Sequence, residues 1–205
     1  MMKTIFIDTE TTGLNPKDTQ KIKGGQIVDV KANGIIQIGA IVEIDGVEVD
    51  AINIKMCPPD SKVIEDKALE INKTTREMLA TYDDYPTAHK KFVEFLEKYV
   101  DKYDETDKFV IAGQNTEFDI NFLEQFFDDV GDKYFYSYFT RYPIIDCKEI
   151  YKLASYLGKV EPLARASLVK MAEQLKLSAE GAHDALFDIT LTRNIVHKLI
   201  EKIKT

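Results

Sequence analysis

Two carboxylates, Asp8 and Glu10, directly follow the short apolar run "TIFI" near the start of the chain. Side chains two residues apart in a β-strand project to the same face, so these two carboxylates are expected to lie side by side. Like charges in a half-buried position repel each other unless a cation lies between them. The spacing therefore predicts a cation site at the end of a buried strand, if other segments supply further ligands.

Two more carboxylates fall on the apolar faces of predicted helices. Winding "NTEFDINFLEQFF" at about 100° per residue places Asp119 on the same face as Phe122. The same construction near the end of the chain places Asp188 on the face of Leu191. A salt bridge or a helix cap could explain either carboxylate alone, because ionised carboxylates are rarely buried without a partner. Four acids converging on one point instead predict about two divalent cations.

The donor types limit which cations are suitable. Carboxylate oxygens, with no cysteine at metal-ligand spacing and few histidines, favour Mg²⁺ or Mn²⁺. Two such cations, roughly 3.5–4 Å apart, can stabilise both the attacking and the leaving oxygen of a phosphoryl transfer. The predicted chemistry is therefore hydrolysis at phosphorus.

Of the three histidines, only His183 is placed to take part in such chemistry. It precedes Asp188 by five residues and can reach the carboxylates only from a loop, with Asp184 at the start of the helix. Acidic Asp184 suits a helix N-terminus, although it is also a rival cation ligand. A loop histidine there could accept a proton from water near neutral pH. His89 and His197 fall on charged helix surfaces and are given no role.

Length and composition set further limits. A chain of 205 residues suits one sizeable core, so residues 1–205 are predicted to form a single domain. The net charge of −8 excludes a broad basic face that coats nucleic acid, but not an enzyme that holds a few nucleotides. No apolar run is long enough to cross a membrane, and no signal peptide is visible. Cys57 and Cys147 are interpreted as reduced thiols, which favours a cytoplasmic protein.

The remaining patterns predict a mixed α/β domain. "IIQIGAIVEI" and "VEVDAINIKM" are separated by Asp45-Gly46, a strong hairpin signal, so three antiparallel strands are expected near the start. Further along the chain, short apolar runs alternate with amphipathic helices. One helical pattern covers "SKVIEDKALEINKTTREML". The segment from Lys17 to Gly34 is rich in Lys, Gly and Asp and is interpreted as a flexible basic flap, with a solvated loop as the alternative.

Three motifs, "FIDTETTGL", "AGQNTEFDINFL" and "AHDALFD", resemble those of the DEDDh family of 3′→5′ exonucleases. That family includes the proofreading subunit of bacterial replicative polymerases and ribonuclease T-like enzymes. The resemblance covers nearly all of the chain and implies a ribonuclease H-like fold, a mixed sheet with flanking helices. It makes Asp8, Glu10, Asp119 and Asp188 the ligands of two divalent cations, and His183 the general base.

The resemblance also implies substrate contacts at Thr11, Thr12, Leu14, Asn115 and Phe118. The two threonines resemble residues whose backbone meets the 3′ nucleotide. Leu14 resembles an apolar wedge near the terminal bases, although a core leucine would fit the sequence equally well.

The chain departs from the family pattern at three places. Gln37 stands where the family more often has Glu, and Asn72 in "INKTT" stands where many relatives have His. The segment from Lys17 to Gly34 is also longer than usual. The substitution at Asn72 leaves open which substrate contacts this loop makes.

Together these features predict a Mg²⁺- or Mn²⁺-dependent 3′→5′ exonuclease that releases nucleoside monophosphates from single-stranded 3′ ends. DNA is favoured over RNA as substrate, with proofreading or repair as the role. The alternatives are a phosphatase or other phosphohydrolase that uses Asp8, since "DTETT" loosely resembles D-x-D-x-T, and a non-catalytic nucleic-acid-binding module. No tail follows the last helix to bind a DNA polymerase, so a free-standing enzyme is expected.

Overall fold

The structure, a computed structural model, describes residues 1–180 and 184–205. The strands in this part of the chain are β1 (Lys3–Thr11), β2 (Thr19–Lys23), β3 (Gln26–Val30), β4 (Ile35–Ile44), β5 (Val47–Cys57), β6 (Asp83–Asp84), β7 (Val110–Gly113) and β8 (Ile145–Asp146). The helices are α1 (Asp66–Ile71), α2 (Arg76–Leu79), α3 (Tyr85–Leu96), α4 (Thr116–Asp129), α5 (Phe135–Tyr138), α6 (Cys147–Tyr156), α7 (Leu168–Gln174) and α8 (Ala185–Lys204).

Six strands form one mixed sheet in the order β6-β5-β4-β1-β7-β8. Strands β1, β4 and β5 pair antiparallel, which confirms the three antiparallel strands expected from the sequence. Strand β7 pairs parallel with β1, and β8 pairs parallel with β7. The prediction of a ribonuclease H-like mixed sheet with flanking helices is confirmed.

The alternation of side chains along β1 divides the core between the two faces of the sheet. Ile5 and Ile7 pack in the core that α3 and α4 cover. Phe6 packs in the core that α6, α7 and α8 cover. Asp8 and Glu10 follow Phe6 by two and four residues, so their side chains lie on the same face of β1 and project towards α8. Thr9 lies on the other face and projects towards α4.

Helix α8 begins directly against β4 at Gly39, the residue that pairs with Asp8 across the β1–β4 ladder. A Cβ atom at Gly39 would lie 2.4 Å from the carbonyl carbon of Ala185 and 2.5 Å from the nitrogen of Leu186. Only glycine therefore permits this close approach of helix to strand. The approach places Asp188, in the first turn of α8, over the end of β1.

The segment predicted to be a flexible basic flap forms a β-hairpin instead. Strands β2 and β3 make a separate two-stranded sheet in which Ile22 pairs with Ile27. Gly24 and Gly25, at φ 58° and 80°, form the turn between them. Two consecutive residues with positive φ give a turn whose twist matches that of the flanking strands, and glycine adopts it without steric cost.

The helical pattern from Ser61 to Leu79 is likewise interrupted and does not form one helix. It contains two short helices, α1 and α2, separated by Asn72–Thr75. Lys73 adopts a left-handed φ of 50°, a conformation that ends a right-handed helix. The break turns the chain so that α1 lies beside Thr11, where Asn72 Nδ2 donates a hydrogen bond to the Thr11 carbonyl at 3.0 Å.

The two histidines that were given no role are less exposed than their charged helices indicate. His89 Nε2 lies 3.1 Å from Asp132 Oδ2, and its ring meets that of Phe127 edge-on with centroids 4.6 Å apart. His197 Nε2 lies 2.7 Å from a carboxylate oxygen of buried Glu43. No helix in the described part of the chain is long and apolar enough to cross a membrane.

The contact at Gly39 gives a stability prediction. Gly39→Ala should lower the free energy of unfolding by about 1–3 kcal/mol, because the atoms it would meet are helix backbone and cannot rotate away. Urea unfolding measures this change. The control is Gly46→Asn in the β4–β5 turn, where no atom lies within 4 Å and asparagine tolerates the positive φ of 83°. If Gly39→Ala were as stable as the wild type, α8 would not press on β4.

Candidate active site

Three carboxylates converge at the end of β1. Asp8, Glu10 and Asp188 each offer an oxygen, and these three atoms lie within 4.8 Å of one another. All three side chains are partly exposed. The structure therefore brings together the paired acids of the strand and the acid that the helical pattern placed on the core-facing side of α8.

Asp119 reaches the same strand from the opposite face of the sheet. Strand β7 pairs with β1 only at Thr4, Ile5 and Phe6, so the edge of β1 beyond Phe6 has no partner strand on that side. Asp119 Oδ1 takes the place of a partner: it accepts hydrogen bonds from Thr9 N at 2.9 Å and from Thr9 Oγ1 at 2.7 Å. Asp119 is 3% exposed, and these two bonds fix its side chain against β1.

The start of α4 is held by Asp146 at the end of β8. Asp146 Oδ2 accepts a hydrogen bond from Thr116 N at 2.9 Å, and its Oδ1 accepts one from Lys148 N at 2.8 Å. One carboxylate thus holds the first turns of both α4 and α6. Asn115, a predicted substrate contact, adopts a left-handed conformation of φ 63° and ψ 43°, which turns the chain from β7 into α4.

The start of α8 is held by a contact that the sequence did not reveal. Asp184 caps the helix, as its position predicts, and its Oδ1 accepts a hydrogen bond from Phe187 N at 3.2 Å. Its Oδ2 accepts a hydrogen bond from Gln37 Nε2 at 2.8 Å, and the same Nε2 lies 2.8 Å from Asn53 Oδ1. Gln37 is the cross-strand partner of Glu10. An amide at this position can donate to the cap, which an ionised glutamate could not do.

Burial and crowding favour the protonated form of these acids. Burial raises the pKa of Asp8 well above its usual value, and the charges of Asp119, Glu10 and Asp188 raise it further. Burial, followed by the charges of Asp188 and Asp184, raises the pKa of Glu10 to about 7. Burial also raises the pKa of Asp119, although the hydrogen bonds from Thr9 oppose the shift. The site therefore favours a cation that would offset these charges.

The donors fit a hard divalent cation. Each residue of the cluster presents carboxylate oxygen, the ligand type that Mg²⁺ and Mn²⁺ prefer. Burial, followed by the charges of neighbouring carboxylates, raises the pKa values of Asp8 and Glu10, so a bound cation would stabilise their ionised forms. Both observations match a cation-binding site better than a set of ion pairs.

A pocket of about 450 Å³ opens beside Glu10. Its walls include Glu10, Thr11, Leu14, Ile71, Asn72 and Phe118. Leu14 is 80% exposed, so the alternative that it is a core leucine is wrong. The Phe118 ring packs on that of Phe122, with centroids 4.9 Å apart. Two of the predicted substrate contacts, Leu14 and Phe118, thus form apolar walls of a pocket that shares Glu10 with the carboxylate cluster.

Thr12 does not lie on that pocket. It is fully buried, its N–H donates to the Gly34 carbonyl at 2.8 Å, and its hydroxyl donates to the Val63 carbonyl at 2.6 Å. Its carbonyl accepts a hydrogen bond from Glu65 N at 3.0 Å. The backbone of Thr12 is therefore used within the protein, and Thr11 is the threonine that meets the pocket.

A larger depression of about 760 Å³ lies between α6 and the segment before α7. Lys148, Lys152 and Arg165 are among its walls, whereas none of the four acids is. The smaller pocket is the better candidate for a reaction site because it includes Glu10. His183, predicted to be the general base, lies outside the described residues.

Comparison with known proteins agrees with this geometry. A family model described as RNase_T exonuclease matches residues 5–196. No curated protein sequence matches the chain significantly.

Solved structures share the fold at low sequence identity. The zinc-bound complex of E. coli exonuclease I with single-stranded DNA has a TM-score of 0.76 and 15% identity, and the match covers 100% of this chain but 41% of that one. The nuclease domain of 3′hExo, a DEDDh family member bound to rAMP, has a TM-score of 0.64 and 17% identity. The match covers 97% of this chain and 92% of that one. Cell-death related nuclease 4 has a TM-score of 0.69 and 14% identity, and the match covers 97% of this chain and 64% of that one.

The chain thus spans less than half the length of exonuclease I, and at these identities the structural matches show the fold alone. The family model covers nearly the whole chain and carries the assignment. The chain belongs to the exonuclease family that the RNase_T model describes, in agreement with the resemblance of its three motifs.

Proposed function

We propose that residues 1–205 form one exonuclease domain that removes nucleoside monophosphates from the 3′ ends of single-stranded nucleic acid. The observation that carries this proposal is the carboxylate cluster at the end of β1, which shares Glu10 with an adjoining pocket. A pocket of about 450 Å³ suits a group of the size of one nucleoside. A terminal nucleotide in the pocket would place its phosphodiester beside the carboxylates.

Asp8, Glu10, Asp119 and Asp188 would hold two divalent cations, Mg²⁺ or Mn²⁺. Bound there, the cations would supply positive charge to the phosphoryl oxygens during hydrolysis. Asp119 is fixed by Thr9, so its position does not depend on a ligand. The other three acids are positioned by β1 and by the first turn of α8.

The pocket walls would hold the terminal nucleotide. Leu14 and Phe118 would pack against the base, and Thr11 would line the path of the sugar-phosphate chain. Asn115, at the start of α4, is not a wall of this pocket and stays a predicted substrate contact. Helix α1 bounds the pocket through Ala68 and Ile71. This boundary supports the proposal that the pocket takes the end of a strand and not its middle.

We favour DNA over RNA as the substrate. Exonuclease I, described in complex with single-stranded DNA, gives a TM-score of 0.76, against 0.64 for 3′hExo, described with rAMP. Discrimination between the two rests on contacts to the 2′ position. Single-stranded oligonucleotides of both types, with one sequence and one length, would measure the preference.

The direction of cleavage is tested with end-labelled substrates. With Mg²⁺ or Mn²⁺, a 5′-labelled single strand should shorten stepwise from its 3′ end, and the product should be nucleoside monophosphate. Asp188→Asn should abolish the reaction, and so should excess chelator. Equal cutting of circular single strands, or activity that survives the chelator, would contradict the proposal. Release of inorganic phosphate without shortening of the strand would indicate a phosphatase.

His183 gives a separate prediction. We propose that His183 accepts the proton of the attacking water. His183→Ala should therefore lower turnover by roughly 10²–10⁴-fold while cation affinity, measured by calorimetry, stays unchanged. The wild-type rate should rise with pH through one ionisation that the variant lacks. The general-base role is ruled out if cation affinity falls in step with turnover.

The raised pKa of Glu10, which burial and the neighbouring acids cause, gives a prediction for the stability of the protein without cations. Because the pKa of Glu10 is about 7 in the folded protein and near 4.5 when unfolded, the folded state binds this proton more tightly. The contribution of Glu10 to the free energy of unfolding therefore falls as pH rises from about 4.5 to 7. In chelator, Glu10→Gln should match the wild type at pH 5 and be more stable by on the order of 1–2 kcal/mol at pH 8.

Excess Mg²⁺ at pH 8 should reverse this order, because it stabilises the folded wild type more than the variant. Glu70→Gln, at an exposed glutamate on α1, is the matched control and should show no such pH dependence. Thermal unfolding across the pH series measures both effects. If Glu10→Gln is the less stable protein at pH 8 in chelator, Glu10 makes a structural ion pair instead.

A further inference from the structure

The hairpin of β2 and β3 exposes apolar side chains that no described residue covers. Ile22 is 80% exposed and its cross-strand partner Ile27 is 69% exposed, while Val28 is 42% exposed. A two-stranded hairpin is only marginally stable in water by itself. Paired isoleucines at its tip therefore point to a surface that packs against something else.

The base of the hairpin, in contrast, is firmly held. Asn15 N donates to Asn33 Oδ1 at 2.9 Å, and Asn33 N donates to the Asn15 carbonyl at 2.7 Å. Asp18 Oδ1 accepts a hydrogen bond from Ala32 N at 2.8 Å. The hairpin thus starts directly after Leu14 of the pocket, and hydrogen bonds hold its base in place while its two strands extend from the protein surface.

The base of the hairpin lies next to α4 and next to the pocket. Lys17 Nζ lies 3.7 Å from Glu124 Oε2 on α4, the helix that carries Asp119. Leu14, one residue before the hairpin base, is a wall of the pocket. A strand whose 3′ end enters the pocket would therefore have the hairpin within reach of its next nucleotides.

The charge of the hairpin segment is opposite to that of the rest of the chain. Residues 15–34 contain four lysines and two aspartates, a net charge of +2, so the other residues must sum to −10 to give the total of −8. Lys21 pairs with Val28 in the ladder, so these two side chains project to one face of the ribbon, whereas the paired Ile22 and Ile27 project to the other. This combination complements a single strand, which presents phosphates and unpaired bases.

We propose that the β2–β3 hairpin is a binding arm for single-stranded nucleic acid, which holds nucleotides upstream of the one in the pocket. Bases pack on the face formed by Ile22 and Ile27, and the charge of Lys21, on the other face of the narrow ribbon, attracts phosphates. This inference rests on the proposed exonuclease function and adds a second binding surface to it. Strands of five residues reach roughly 17 Å from the hairpin base, so only substrates several nucleotides long can touch the tip.

The experiment compares substrate lengths. Ile22→Ser combined with Ile27→Ser removes the apolar tip without disturbing a core, since both side chains are exposed. For a single-stranded 12-mer, KM should rise about tenfold while kcat stays within twofold of the wild type. For a dinucleotide, both constants should stay unchanged. Val47→Ser is the matched control, since Val47 is 65% exposed at the start of β5, and it should behave as wild type with both substrates.

The charge is tested with Lys21→Gln. This variant should raise KM for the 12-mer and flatten its dependence on salt by somewhat less than one unit of log–log slope, as expected for the loss of one phosphate contact. Binding of a fluorescent 12-mer to inactive Asp188→Asn protein, with and without the tip substitutions, gives a readout that does not need turnover. The tip substitutions should weaken this binding about tenfold.

The outcomes separate the two proposals. Wild-type cleavage combined with wild-type KM and binding in the tip variant would overturn the arm while leaving the exonuclease function intact. An equal rise in KM for the dinucleotide and the 12-mer would also overturn the proposed arm, because the substitutions would then have altered the pocket itself. A change in oligomeric state on sedimentation, with KM unchanged, would make the hairpin a self-association surface. Absence of cleavage by the wild type would instead refute the exonuclease function.

Discussion

The cost of holding partly buried carboxylates together at the end of β1 is the constraint around which the site is organised. Burial is the main cause of the raised pKa values of Asp8 and Glu10, and repulsion from neighbouring carboxylates raises them further. Carboxylates free to move would separate or take up protons. The fold prevents separation because β1 pairs with β4 as far as Thr11, and Asp119 holds Thr9 on the other side of the strand. The stability of the sheet therefore keeps the acids close enough to share cations.

The two faces of the sheet hold their acids in different ways. On the α4 side, Asp119 is almost fully buried and receives two hydrogen bonds from Thr9, so it replaces the partner that β1 lacks beyond Phe6. On the α8 side, the carboxylates of Asp8, Glu10 and Asp188 remain partly exposed. Asp119 is thus held against β1, while the other three carboxylates face the opening through which cations and substrate would enter. This arrangement is expected where ligands must be exchanged without loss of geometry.

Local periodicity was sufficient to predict which face of its strand or helix each of the four acids occupies, because that depends only on the geometry of a single element. The contacts that hold them could not be predicted in this way. Thr9 meets Asp119 across 110 residues, and Gln37 meets Asp184 across 147, and no local pattern specifies such pairs. Periodicity also fails for the β2–β3 ribbon, which buries neither face and whose polar composition favoured a loop despite the turn signal of its two glycines. Paired strands without a buried face are better explained by a partner outside the chain.

Separation of the basic ribbon from the acidic site has a physical advantage. Lysines placed among the clustered carboxylates would pair with them and compete with cations for the same oxygens. Lys21 stands on the hairpin, outside both the carboxylate cluster and the walls of the adjoining pocket. Positive charge for binding and negative charge for cation coordination can therefore coexist in one chain whose net charge is −8.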